Sequence, residues 1–494
     1  MSIKYKDKSN KLVLTYILII LSTCFKAHCK QNKKFIYKTV DTTSDSIYTK
    51  SKFTEPYRNQ VHFSSHAGWI NDINGVFHYQ GTYHLMFQHY PYKNEWDNMH
   101  WGYATSSDLL HWQQHNPALV PGENAKGMAY SGTAFIDHNN TLGKQTGINA
   151  TLVLAYTDTQ LGQALAYSTD KGRTWQAHEA NPILAPDPTS KKIESRRDPK
   201  VFWFEPDQKW IMVVFEEKKG MLFYSSKNLL NWTYHSTFKA NGFWECPDMF
   251  EITITGTTQK KWVLMAPIGR YEYGEFDGEK FTAESNNLSV FKGVDLYGGQ
   301  SFYDSRSDKR IQFVWLGMWN REPVKSIWHH AVSFPVELRL EHINKALHLT
   351  RSPIPEITSL YQDKTQISNI TIDNSNNPLA HIRSNVFDMQ IKLNLKGTKA
   401  QKFWIKIADK TLTYDLTNQT FNDIKVAAVG DELDIRLIVD QGAIEAFINK
   451  GVLSWAEEFA FPTDDSSIAI SADKPIKINT VTVHPLRSVW QRQR

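Results

Sequence analysis

Three short segments carry side chains that could do chemistry together. The first is Trp69-Ile70-Asn71-Asp72-Ile73-Asn74-Gly75, a carboxylate set between two amides and close to an indole. That grouping suits a hydroxyl-rich ligand, and equally an Asx-turn closed by Asn74-Gly75. The second is Ser195-Arg196-Arg197-Asp198-Pro199. Its adjacent Arg and Asp can grip hydroxyls or simply pair with each other in a loop. The third, Phe243-Trp244-Glu245-Cys246-Pro247-Asp248, sets Glu245 among apolar neighbours, which would raise the proton affinity of its carboxyl. Alone, it reads equally well as a strand-end Glu facing solvent. Taken together the three supply what retaining glycoside hydrolysis needs. One ionised carboxylate attacks, one protonated carboxyl releases the leaving group, and a third charge holds the sugar.

Such side chains have to converge from distant parts of the chain. From Tyr57 to about Leu349 the sequence alternates short apolar runs with Gly, Asn, Asp and Pro, as in Leu152-Val153-Leu154-Ala155-Tyr156 and Trp210-Ile211-Met212-Val213-Val214-Phe215. These are strand lengths with turn punctuation, and sustained helical periodicity is scarce. A repeat sharpens the picture: Tyr103 to Trp112, Tyr167 to Trp175 and Tyr224 to Trp232 each run from a Tyr through a Ser-containing polar turn to a Trp. Spaced about 60 residues apart, they read as propeller blades rather than as three unrelated hairpins. Loops of such blades meet at one axial pocket. After about residue 355 the texture changes. Residues 356–377 read as an Asn-rich linker. Segments such as Leu433-Asp434-Ile435-Arg436-Leu437 beyond it alternate like the strands of a sandwich. The expected domains are therefore a catalytic propeller over 55–355 and a β-sandwich over 378–494.

Composition narrows the function class. The chain has 494 residues, enough for two domains, and a net charge of +5 with no basic cluster, so nucleic acid is not an expected partner. Its 16 Trp fit an all-β protein or a sugar site, where indoles pack on apolar sugar faces. Lys4, Lys6, Lys8 and Lys11 precede the apolar run Leu12 to Leu21, a pattern read as an export signal over 1–29 with a polar leader over 30–54. The expected location is extracellular. Lipid anchoring at Cys24 or a periplasmic location is the lesser reading, since Thr23 is atypical before a lipid-bearing Cys. No transmembrane segment is read. Cys24 and Cys29 fall in the signal, leaving Cys246 and no disulfide framework. No His/Cys cluster suggests a metal, no cofactor is expected, and nothing specifies an oligomeric state.

The motifs resemble those of glycoside hydrolase family 32, the invertases, levanases and exo-inulinases, from about residue 57 to near the C-terminus. The resemblance implies an all-β fold, a five-bladed β-propeller followed by a C-terminal β-sandwich. It implies Asp72 as nucleophile, Asp198 as transition-state stabiliser and Glu245 as acid/base. It further implies a blind fructose pocket contacted by Asn71, Asn74, Gln88, Trp96, Tyr130, Ser131, Arg197 and Trp319, with Trp315 in an aromatic wall. Asp295-Leu296-Tyr297-Gly298-Gly299-Gln300-Ser301-Phe302 is similar to a family stretch with Ala-Ala in place of Gly298-Gly299. Val439 to Asn449 resembles the sandwich signature. Ile70 and Ile73 depart from the usual Met and Pro, which would loosen the nucleophile loop; Phe291 and Val336 stand where Asp and Arg are common. The activity implied is exo-release of terminal β-D-fructofuranosyl units from sucrose or fructans. Fructosyl transfer on the same scaffold, or a silent fructan-binding protein, are the rival readings.

Overall fold

The computed structural model describes residues 51–190, 192–292, 295–317, 326–459 and 466–490. The expected signal and most of the expected leader lie outside them. Among the described residues the regular structure is strand apart from three short 3-10 turns, and apolar runs picked out by periodicity form the middle strands of the blades.

Five antiparallel sheets follow one another along the chain. Blade 1 spans Gly68–Tyr79 to Trp112–Leu119, blade 2 Ala129–Asp137 to Gln176–Ala177, and blade 3 Arg196–Phe204 to Thr233–Phe238. Blade 4 begins at Asp248–Thr253 and blade 5 runs from Leu296–Asp304 to Ala346–Pro353. The first strand of each blade lies next to the axis. The ring closes where Trp328–His329 pairs in parallel with Gly68 and Trp69 of blade 1. The repeat seen in sequence is the turn between two outer strands. Ser106, Ser168 and Ser226 each hydrogen-bond to the Asp or Asn two residues on, at 3.0, 2.8 and 3.2 Å. Trp112 and Trp232 cap their turns by donating Nε1–H to the carbonyls of Leu109 and Leu229. Only Trp112 is buried; Trp175 and Trp232 are half-buried, because their blades leave that edge open.

The second domain packs a six-stranded sheet on a five-stranded one around an aliphatic core that includes Ile391, Leu437, Ile405 and Ile470. One expectation needs correction. Residues 356–377 are not a linker throughout: Thr365–Ile372 forms an edge strand of the six-stranded sheet, in register from Thr365↔Val483 to Ile372↔Ile476. Its Asn and Ser residues face solvent while Ile372 is buried, so half of an edge strand looks polar in sequence. The connection proper is a short 3-10 turn, Pro355–Leu360, pinned by buried Ile357 and Leu360.

The two domains are clamped by one histidine. His62, on the segment entering blade 1, puts Nδ1 2.8 Å from Asp440 and Nε2 2.9 Å from Glu445, both in the sandwich. Asp440 also accepts the backbone N–H groups of Gln60, Val61 and His62. Burial works against charge on His62, but hydrogen bonds and the two carboxylates outweigh it and hold the imidazolium up to about 9.

Candidate active site

Asp72 sits on the innermost strand of blade 1, where the pairing with Thr82–Tyr90 shifts register between Ile70 and Ile73 and again before Gly75. These bulges turn Asn71 and Asp72 out of the ladder and toward the axis. Ile70 and Ile73 are buried in the main core, and Ile73 pairs with Phe87. Gly298 of blade 5, with φ +57°, lies so close to Asp72 that a β-carbon on it would fall 2.2 Å from Oδ1.

Asp198 arrives on the inner strand of blade 3 and Glu245 just before that of blade 4, both at residues with positive φ, 64° and 24°. Asp198 donates its backbone N–H to Thr157 Oγ1 at 2.9 Å. Glu245 stands at the turn before blade 4. Cys246, next to it and also at positive φ, is the joint of the cluster. Its N–H donates to Asp198 Oδ2 at 3.0 Å, and its thiol lies 3.4 Å from Asp72 Oδ2 and 3.5 Å from Asp198 Oδ2. Ser131 donates to the same Asp72 oxygen at 2.8 Å. The Glu245-Cys246 pair stands out in the sequence, but the bonds of Cys246 to the other two acids do not.

The setting of Glu245 differs from expectation. It is not an apolar niche. Arg197 donates to Glu245 Oε2 through Nε and Nη2 at 3.2 and 2.9 Å, and the Tyr297 hydroxyl donates to Oε1. Trp244 Nε1 donates to the Tyr297 oxygen at 2.9 Å. These partners come from other blades, which local sequence does not display. Arg197 also bonds Glu217 at 3.2 Å and lies 3.7 Å from Asp198.

Electrostatics follow from this crowding. Burial first, then the negative charges of Glu245 and Asp198, push Asp72 up to about 7; Ser131 and Cys246 offset part of that by donating to it. Burial pushes Asp198 up to about 6 against the lowering effect of Arg197. Burial and the surrounding acids push the Cys246 thiol well up, so it acts as a neutral donor. Near neutrality the cluster therefore retains a proton.

The remaining expected contacts divide. Trp96, 37% exposed, stands at the mouth with its ring edge-on to Tyr130 at 6.1 Å. Asn71 accepts from Trp69 Nε1 at 2.8 Å. Gln88 donates to the Ala129 carbonyl at 2.9 Å. Asn74 is closed off from the pocket, a correction to its expected role: it is fully buried beneath the strand. In the orientation that satisfies both its amide atoms it accepts from Gln88 and Trp101 and donates to Ser131. Trp315 is fully buried too, behind Trp69 rather than in the wall, at 6.2 Å between rings. Trp319 lies outside the described residues. Among the described residues no His, Cys, Asp and Glu group is arranged to hold a metal ion, and no helix is long and apolar enough to cross a membrane.

Acids supplied by three blades and joined through Cys246, on a propeller followed by a sandwich, define a glycosidase of the propeller–sandwich type. Residues 62–353 match the Glycosyl hydrolases family 32 N-terminal domain and residues 356–485 the family 32 C-terminal domain. The chain belongs to glycosyl hydrolase family 32. It is 34% identical over 500 residues to a levanase of Bacillus subtilis, covering 90% of this chain and 72% of that one. It is 28% identical to the extracellular exo-inulinase inuE of Aspergillus niger, covering 89% and 96%. The crystal structure of an exo-inulinase from Aspergillus awamori superposes with a TM-score of 0.78 at 26% identity, covering 89% of this chain and all of that one.

Proposed function

We propose that the chain is an exported β-fructofuranosidase that removes terminal fructosyl units from sucrose or a fructan by retaining double displacement. The observation that carries this reading is the Cys246 joint, which holds Asp72 and Asp198 against each other with Glu245 one residue away. Asp72 attacks the anomeric carbon of the fructosyl ring. Glu245 protonates the leaving oxygen, and its bonds to Arg197 and Tyr297 rearrange as it does so. A covalent fructosyl-enzyme forms; Glu245 then takes a proton from water, which releases fructose. Asp198 and Arg197 bind ring hydroxyls most tightly as positive charge develops. Arg197, Asn71, Gln88, Ser131, Tyr130 and Trp96 line or support the pocket. Asn74 is left out of the contact set and acts beneath it.

The relatives named levanase, exo-inulinase and invertase support fructose-containing substrates. The charged start and apolar run support export, with N-terminal sequencing of the native protein expected to begin after residue 20. Initial rates of fructose release from sucrose, levan and inulin test the whole reading. Release of free fructose from at least one is expected; products that are only elongated fructans would replace hydrolysis with transfer.

A further inference from the structure

The turn carrying Glu245 is strained. Glu245 and Cys246 both have positive φ, 24° and 41°, a region that side-chain-bearing residues keep only where their surroundings over-determine it. The bond from Cys246 N–H to Asp198 fixes the pocket side of the turn. Its other side is tied by one buried ammonium. Lys200 Nζ lies 2.6 Å from Asp248 Oδ1, 2.9 Å from Gln300 Oε1 and 3.3 Å from the Ser301 carbonyl. Gln300 in turn donates through Nε2 to the Pro247 carbonyl at 3.1 Å. All three side chains are nearly inaccessible, at 6%, 1% and 4% exposed for Lys200, Asp248 and Gln300.

The sequence positions matter. Lys200 shortly follows Asp198, Asp248 shortly follows Glu245, and Gln300 shortly follows Tyr297, each on the same stretch of its own blade. One charge thus joins the inner strands of blades 3, 4 and 5 just past the pocket residues those strands present. The three blades are separate sheets with no ladder between these strands. A buried ion pair adds little net stability, because desolvating both charges offsets their attraction. What it supplies is a fixed distance.

Resting on the reading of Glu245 as acid/base, we propose that Lys200 is a positioning residue: through Asp248 and Gln300 it holds the Trp244–Pro247 turn so that the Glu245 carboxyl stays in reach of the leaving oxygen. Lys200 itself touches no substrate. The alternative is a plug that merely fills the propeller axis.

A positioning role for the proton donor makes a prediction that a plug does not. Losses should depend on how much the leaving group needs a proton. Compare kcat/KM on sucrose and on p-nitrophenyl β-D-fructofuranoside for Lys200→Met, Asp248→Asn and the double variant. Lys200→Met should lose about 30-fold on sucrose and less than about 3-fold on the nitrophenyl substrate. Asp248→Asn should show the same pattern, more weakly. The double variant should lose no more than Lys200→Met, since both cut one tie. Equal losses on both substrates, or unchanged sucrose hydrolysis in folded Lys200→Met, would overturn the proposal. If Lys200→Met does not fold, Asp248→Asn, which keeps an oxygen facing Nζ, decides by the same comparison. Glu245→Gln separates the two readings. Should it lose equally on both substrates, the acid/base assignment falls and the role of Lys200 with it. Should it discriminate while the Lys200 and Asp248 variants do not, only the positioning role falls.

Discussion

The Cys246 thiol lies 3.4 Å from Asp72 Oδ2, in a site where burial and two other acids already push Asp72 toward its neutral form. A neutral donor there stabilises the ionised carboxylate. Cys246→Ala removes it, so Asp72 should hold its proton to higher pH. The acid limb of the kcat/KM profile should move up by about half a pH unit, with KM at the optimum little changed. An unmoved limb would show that the thiol only fills space.

Asp72→Asn separates catalysis from stability. Turnover should fall by at least about 10⁴-fold, as for loss of a nucleophile, while sugar binding persists. Stability should move the other way. The folded-state value is raised, so the native protein binds more protons than the unfolded chain between the ordinary carboxyl range and about pH 7. Stability therefore falls as pH rises through that window, and the cost is fully present above it. The Asn variant escapes that cost. Its Tm should exceed wild type at pH 8, by up to the equivalent of about 4 kcal/mol, and match it near pH 4. Calorimetry at the two pH values checks this.

Gly298 makes room for the nucleophile. With φ +57° and a would-be β-carbon 2.2 Å from Asp72 Oδ1, Gly298→Ala must displace the carboxylate or the strand. kcat should fall by about 10²-fold, the cost of a misplacement near 1 Å. Gly256→Ala, in open space at φ +80°, is the matched control and should retain activity.

Much of this architecture was legible in the sequence. The Ser-to-Trp turns marked three blades because local side-chain bonds close them, and local bonds leave local signatures. The three acids were visible in their motifs. Their surroundings were not, since Arg197 and Tyr297 reach Glu245 from other blades. Asn74 looked like a ligand-binding amide because nothing in a heptapeptide distinguishes an amide facing the pocket from one sealed beneath it. Thr365–Ile372 was missed because an edge strand with one wet face is as polar as a linker.

His62 should make stability pH-dependent on the alkaline side. Its folded-state value is raised to about 9 by Asp440 and Glu445, so its contribution is complete below its ordinary range and is lost as pH rises through 9. His62→Gln leaves Asp440 and Glu445 without the cation between them and should cost about 3–5 kcal/mol at pH 7. Wild-type Tm should drop between pH 7 and pH 10, and the variant's should drop less. Parallel curves would mean that the clamp is neutral.

The last prediction concerns stereochemistry. Double displacement requires Asp72 and Glu245 to flank the scissile bond at the separation of retaining enzymes, about 5–5.5 Å, too close to admit a water between carboxylate and sugar. The first displacement inverts the anomeric centre and the second restores it, because water enters from the face the leaving group vacated. If Trp96, and Trp69 backed by Trp315, close the pocket around one terminal unit, cleavage should be exo. The first fructose seen by NMR during fructan hydrolysis should then be the β-furanose anomer, formed before mutarotation and without intermediate oligosaccharides. Early α anomer would point to a single displacement by water and remove Asp72 from the nucleophile role. Early oligosaccharides would instead leave the chemistry intact and open the funnel at its far end.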